Sequence, residues 1–205
     1  VTRKVAKRPY ASGAARREQI AEAGLALIAR EGIDGLTLRK VAAAIGTTPS
    51  AAYRHFAGKE EIVDAVLDLV GEALQAGLDA ICAGPGDPLE KLEAVLMAHV
   101  AFLVERLGAG RHFVTLEILS RHPEKKARIL RNTLPLRNAV AALLAEAQRE
   151  GRLGGAHDRD VLVRLFMGIF LTEILECRSS CTAADMQDRV RATWNVFRTL
   201  ITKGP

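Results

Sequence analysis

Aromatic residues are scarce here, with Phe, Trp and Tyr making up 4% of 205 residues. No stretch alternates β-branched with polar residues over strand length, so a sheet is not predicted. The three cysteines, Cys82, Cys177 and Cys181, are too few and too scattered for a disulfide framework. Cys177 and Cys181 would share a face only if one helix ran through both, and Ser179-Ser180 mark an ending. They are read as incidental or buried thiols, and no metal site is expected. The first residues lack the apolar core of a signal peptide, so secretion is not expected. The most apolar run, Val161 to Leu175, is shorter than a membrane span and contains Arg164 and Glu173. A cytoplasmic chain with no membrane partner is expected. Nucleophile-elbow, phosphate-loop and zinc spacings are all missing, and His157-Asp158 reads as a helix cap in a glycine loop. No catalytic residue and no cofactor is therefore assigned.

What remains is helical in character. Apolar residues make up 49% of the chain, enough for a sizeable core. Alanine, leucine and arginine are abundant, and all three favour helix. The charge is unevenly placed. Residues 1–60 hold eleven Lys/Arg against five Asp/Glu, whereas residues 61–205 hold eighteen against nineteen. The basic excess thus sits in the first quarter of the chain, as a module for a polyanion requires. Arg3, Lys4, Lys7 and Arg8 form a basic N-terminal arm, either a plain solvated tail or a contact to the DNA backbone or minor groove.

Helix signals recur along the chain. The first helix is predicted over 14–31, with Ile20, Ala23, Leu27 and Ile28 inward. Short helices follow over 37–44 and 48–55. A longer one runs from Lys59 to about Ile81, its Glu60 and Glu61 suiting a helix start. Ala83-Gly84-Pro85-Gly86 is the clearest break. Asp87-Pro88-Leu89-Glu90 reads as a capping box opening a helix to about Leu107. A short helix is expected over 111–119. A long one is expected from Pro123 to Glu150 with a kink at Pro135. Two more are expected over 159–177 and from Thr182–Asp185 to about Thr202. The fold class is all-α, with about nine helices.

The most specific segment is Thr37 to Lys59, TLRKVAAAIGTTPSAAYRHFAGK. Leu38, Val41 and Ile45 give the first of its helices one apolar face. Gly46 ends that helix, and Thr48-Pro49 start the next as N-cap and first-turn proline. Two short helices around a tight glycine turn describe a helix-turn-helix, whose second helix enters a DNA major groove. The segment resembles the DNA-binding region of the TetR family of bacterial regulators. Thr37, Ala42, Gly46, Tyr53-Arg54-His55-Phe56 and Lys59 carry the likeness, and it covers roughly residues 16–70. The chain departs from the family pattern at Thr47, Pro49, Ser50 and Ala51, so its operator is not copied from relatives.

The resemblance implies a DNA-binding helix-turn-helix domain with its basic arm at 1–58 and a regulatory and dimerisation domain at 59–205. It implies a repressor on a palindromic double-stranded DNA operator, released by a small-molecule effector. Tyr53 and Lys59 look like phosphate clamps. Thr37 and Thr48 can offer hydroxyls to phosphate, or simply cap. Pro49, Ser50 and Ala51 stand where base edges are met, Arg39 and Arg54 suit phosphate or guanine, and His55 suits a phosphate or structural contact. Phe56 should anchor the recognition helix. An effector pocket is expected around Met97, His99, Phe102, His112, Phe113, Leu116, Glu117 and Asn138, a mixture of apolar lining and polar orienting groups. The last two helices should form a homodimer through Leu165, Phe166, Ile169, Trp194 and Phe197, with Gly168 allowing close backbone approach. A helical adaptor that binds only protein is the alternative, and an enzyme a more distant one.

Overall fold

The computed structural model describes residues 13–107, 118, 120, 122–154, 157–176 and 182–203. Eight α-helices are found there and no strand: α1 Gly13–Glu31, α2 Leu38–Ala44, α3 Pro49–Tyr53, α4 Lys59–Ala83, α5 Pro88–Leu107, α6 Lys126–Arg149, α7 Arg159–Glu176 and α8 Ala183–Lys203. The short helix expected over 111–119 and the Cys177–Cys181 question lie largely or wholly outside the described residues. One expected boundary moves. Pro123 opens a single 3₁₀ turn, Pro123–Lys125, and the α-helix begins at Lys126. The helix then continues through Pro135.

The helix starts follow their local chemistry. Asp87 Oδ1 accepts the N–H groups of Leu89 and Glu90 at 2.8 and 3.0 Å, and Glu90 Oε2 accepts the Asp87 N–H at 2.9 Å. Thr182 and Asp185 exchange bonds in the same reciprocal way ahead of α8. Each pair satisfies backbone donors that the first helical turn leaves free.

Two apolar cores result. The N-terminal core joins α1, α2 and α3 with the first half of α4, through residues such as Ile20, Ile28, Val41, Phe56 and Ile62. Ile118 and Ile129, far along the chain, are buried in it too. The second core joins α5, α6, α7 and α8 with the distal part of α4, around Leu92, Leu144, Phe166 and Trp194. Helix α4 therefore serves both cores, Ile62 to Leu67 in one and Leu78 in the other.

Polar contacts reinforce the joint. Asn132 Nδ2 of α6 donates to the Leu67 carbonyl at 2.8 Å. The approach is close enough that a Cβ at Gly71 would lie 2.7 Å from the Asn132 amide, so a side chain there would displace that amide. Arg106 of α5 meets Glu22 of α1 at 2.9 Å.

Candidate nucleic-acid interface

Thr37 begins the site. Its Oγ1 accepts the Lys40 N–H at 3.2 Å, and Leu38, Val41 and Ala42 of α2 turn inward. Gly46 takes φ +65°, a left-handed conformation that side-chain-bearing residues rarely adopt. The turn closes with Gly46 N–H on the Ala43 carbonyl and Thr47 N–H on the Ala42 carbonyl, at 3.2 and 2.9 Å. Thr48 then caps α3, its Oγ1 accepting the Ala51 N–H at 3.2 Å, with Pro49 in the first turn. Helix α3 is shorter than the expected 48–55, ending at Tyr53.

Within α3 only Ala52 is buried, while Pro49, Ser50 and Tyr53 are exposed and Ala51 is half-buried. Tyr53 is 58% exposed, a large ring left standing in solvent. Phe56, by contrast, is fully buried in the N-terminal core and anchors the unit from below. Arg39 and Arg54 are both exposed, and no ion pair among the described residues engages either. Lys59 Nζ lies 4.0 Å from Asp34 Oδ1, at the outer limit of an ion pair. Exposed Thr37, Arg39, Thr48, Pro49, Ser50, Tyr53, Arg54 and half-buried Ala51, His55 and Lys59 thus lie along one helix-turn-helix unit. The two threonine oxygens already accept cap bonds. Their hydroxyl hydrogens are what they can offer to phosphate.

Other cations beside the unit are tied down. Lys40 Nζ meets Glu31 Oε2 at 2.6 Å and Arg30 reaches the other oxygen at 2.8 Å. The Lys40 bond first, then Arg30, holds the Glu31 carboxyl down at about 2. Arg17 of α1 was not anticipated from sequence. Its guanidinium stacks over the Phe56 ring at 4.2 Å from the centroid, donates to the His55 carbonyl, and meets Glu61 Oε1 at 3.1 Å. Glu61 Oε2 accepts the Ala57 N–H at 2.6 Å. That backbone bond and then Arg17 hold the Glu61 carboxyl below its usual range. Glu61 read in sequence only as a favourable helix-start charge, and nothing local pointed to Arg17.

Among the described residues one histidine–carboxylate group converges. His122 Nδ1 lies 3.4 Å from Glu60 Oε2 and 3.4 Å from Glu124 Oε1. Lys125 Nζ is 3.3 Å from that same Glu60 oxygen. A fixed cation already balances the carboxylate, and the group is an ion-pair network at the joint of the two cores.

Of the residues expected around an effector, Met97 packs half-buried against the second core. Phe102 is half-buried with the Arg106 guanidinium 5.9 Å from its ring centroid. Burial pushes the His99 imidazole down to about 4. Asn138 is exposed on α6 and is left out of the lining. His112, Phe113, Leu116 and Glu117 lie outside the described residues.

The five residues expected at a homodimer interface divide. Phe166, Ile169, Trp194 and Phe197 are buried within the single chain, and only Leu165 is open to solvent. Phe166 and Trp194 pack edge-to-face with centroids 6.0 Å apart, and Trp194 Nε1 donates to Glu93 Oε2 at 2.9 Å. Among the described side chains, the large apolar ones that α7 and α8 turn outward are Val161, Leu165, Val196 and Leu200.

The unit from α1 to the first half of α4 is where the chain matches a known family. Residues 20–66 fit the family described as bacterial regulatory proteins, tetR family. The chain carries the DNA-binding segment of the TetR family. It is a DNA-binding transcriptional regulator and not an enzyme. It is similar to the HTH-type transcriptional regulator TcmR of Streptomyces glaucescens, 25% identical over 158 residues, which cover 75% of this chain and 67% of that protein. It is also similar to the nucleoid occlusion factor SlmA of Vibrio vulnificus, 31% identical over 97 residues, or 47% of this chain and 50% of SlmA. The HTH-type transcriptional repressor KstR2 of Mycobacterium tuberculosis is 35% identical over 83 residues, covering 40% of this chain and 42% of KstR2. The solved structure of KstR2 shares the fold across 98% of this chain and all of its own, with a TM-score of 0.69 and 22% identity. The all-α architecture, a helix-turn-helix domain followed by a larger helical domain, is therefore that of solved TetR-family proteins.

Proposed function

We propose that this TetR-family regulator is a repressor that acts as a homodimer on a palindromic operator and lets go when a small molecule binds its larger domain. One observation carries the DNA half of this reading. The front of the recognition helix, Pro49, Ser50 and Tyr53, stands in solvent on a unit whose back is locked into a core by Ala52 and Phe56. Rigid backing with an open polar front is what base readout needs, since the reading side chains must not shift when they meet DNA. Tyr53 at the end of that front and half-buried Lys59 beyond it serve as phosphate contacts, with Arg39, Arg54 and His55 beside them.

The release half rests on the shared helix. Because α4 follows the recognition unit and also enters the second core, an effector that favours one position of α4 over another also favours one DNA affinity over another. Met97, His99 and Phe102 are the proposed lining among the described residues. The dimer reading rests on Val161, Leu165, Val196 and Leu200, large apolar side chains exposed on the last two helices. No helix among the described residues is long and apolar enough to cross a membrane, and a cytoplasmic setting is proposed with the DNA role.

The test begins with selection. Wild-type protein is incubated with random-sequence duplexes, and the retained pool is sequenced and footprinted. A two-fold symmetric sequence with half-sites about one helical turn, or a multiple, apart is the expected result. Retention of no preferred sequence would overturn the operator reading. Loss of the footprint on adding a molecule extracted from the purified protein would support the effector.

A further inference from the structure

We propose that Arg17 is a positioning residue for DNA recognition, bracing the turn between the recognition helix and α4 so that Tyr53 and Lys59 keep one fixed relation. This rests on the DNA-binding reading above. The turn from Arg54 to Gly58 carries backbone groups that neither helix uses. Arg17, 38 residues away on α1, donates to one of them, the His55 carbonyl. Glu61, on the first turn of α4, accepts from another, the Ala57 N–H, at 2.6 Å. The two side chains then join to each other at 3.1 Å. The Arg17 guanidinium also sits over the ring of Phe56, the residue between those two backbone groups. The result is a closed ring through α1, the turn and α4. Tyr53 sits two residues before it on one side, and Lys59 two residues after it on the other.

The chemistry requires arginine. A planar guanidinium can stack on a ring while its edge donates to two acceptors, and an ammonium cannot do both. The exposed Arg17–Glu61 pair contributes little to stability by itself, since both side chains are nearly half exposed. Its value lies in geometry. Nor is Arg17 poised as a phosphate clamp, because Glu61 neutralises it and both terminal nitrogens already donate, one to the His55 carbonyl and one to Glu61.

The test uses the full chain and two DNA probes, a duplex selected by the wild type and a scrambled duplex of equal length and composition. Arg17→Ala and Arg17→Lys should each bind the selected duplex about tenfold more weakly, the size of one misaligned base contact. Binding to the scrambled duplex should change little, and the salt slope should stay at the wild-type value. Glu61→Gln keeps an acceptor for the Ala57 N–H and should lose less. Arg17→Ala combined with Glu61→Ala should cost no more than the worse single variant, because both break one ring. A merely structural role would lower binding to both probes by one factor and leave their ratio unchanged, which would overturn the proposal. A salt slope reduced by about one would overturn it as well, since it would make Arg17 a phosphate contact. Additive losses in the double variant would do the same. Should the wild type select no duplex, the DNA reading fails before Arg17 is tested. Should Arg17→Ala not fold, Arg17→Lys and Glu61→Gln carry the same comparison.

Discussion

Lys125 reaches from the 3₁₀ turn before α6 into the flank of α4, where its Nζ meets Asp64 Oδ1 at 2.8 Å while the residue is only 6% exposed. It also donates to the Glu60 carbonyl and faces the Glu60 carboxylate. The side chain is buried along its length, and its ammonium ends among carboxylates that balance its charge. The contact ties the larger domain to α4 within one turn of Lys59.

The first prediction follows from that contact. Burial alone would lower the Lys125 pKa, but the hydrogen bonds to Asp64 and Glu60 outweigh it and the pKa is raised. A raised ammonium contributes stability that is fully present below its unfolded pKa of about 10.4 and is lost as pH rises through the folded value. Lys125→Met keeps the stem and removes the charge. Because Asp64 is a third exposed and retains Arg128, the loss at pH 7 should be about 1 kcal/mol. Urea melts at pH 7 and pH 11 check this, and the variant should fall less between them than the wild type.

A second prediction concerns mild acid. Burial holds the His99 ring neutral down to about 4, whereas an unfolded histidine takes its proton near 6.5. The unfolded chain therefore binds more protons between those values, and stability should fall as pH drops from about 6.5 to 4. The full effect is on the order of 2–3 kcal/mol. Replacing His99 with glutamine should flatten that window in denaturant melts. An unchanged slope would place the acid sensitivity elsewhere.

Much of the fold was legible because its signals are local. Gly46, the Asp87–Glu90 box and the Thr182–Asp185 box each satisfy backbone groups within a few residues, so their consequences can be read from spacing. The helix-turn-helix was legible for the same reason. Which side of a helix meets which neighbour was not. The stripe Val190, Trp194, Phe197 and Ile201 was visible in sequence, but it faces the chain's own core, and the outward residues of α8 are Val196 and Leu200. Arg17 with Phe56 and Lys125 with Asp64 are pairs far apart in sequence. They exist only once helices have chosen their packing, and no period or cap announces them. Asn138 shows the converse, a polar residue amid apolar neighbours that turns to water.

The third prediction separates core from interface on the last two helices. Leu165 and Leu200 are 54% and 66% exposed in the single chain, so a charge at either costs little in an isolated subunit. In a dimer that covers them the same charge is buried without a partner. Leu165→Glu and Leu200→Glu should convert a dimer to a folded monomer, read by sedimentation and circular dichroism. Trp194→Ala should instead destabilise the subunit by about 3–5 kcal/mol, because it empties a fully buried site and leaves Glu93 without its indole donor. If both glutamate variants stay dimeric, the partner sits on another face.

The last prediction divides the roles within the DNA-binding unit. Lys59 is held only loosely, 4.0 Å from Asp34, so its ammonium is available to a phosphate at little cost. Tyr53 presents its phenol from an exposed ring. Lys59→Ala should weaken binding to every duplex and reduce the salt slope by about one, since one fewer counterion is displaced. Tyr53→Phe should weaken binding to every duplex as well, but with the slope unchanged, because a neutral donor is lost. Ser50 is different. It stands at the helix front, caps nothing, and can both donate to and accept from a base edge. Ser50→Ala should therefore leave scrambled-duplex binding alone and change the preferred half-site, with discrimination altered by roughly 1–3 kcal/mol at one base pair. Titrations at several salt concentrations, paired with repeat selection by each variant, measure all three. If Lys59→Ala keeps wild-type affinity and slope while remaining folded, the phosphate role belongs instead to exposed Arg39 or Arg54, and the same titration on their alanine variants would find it.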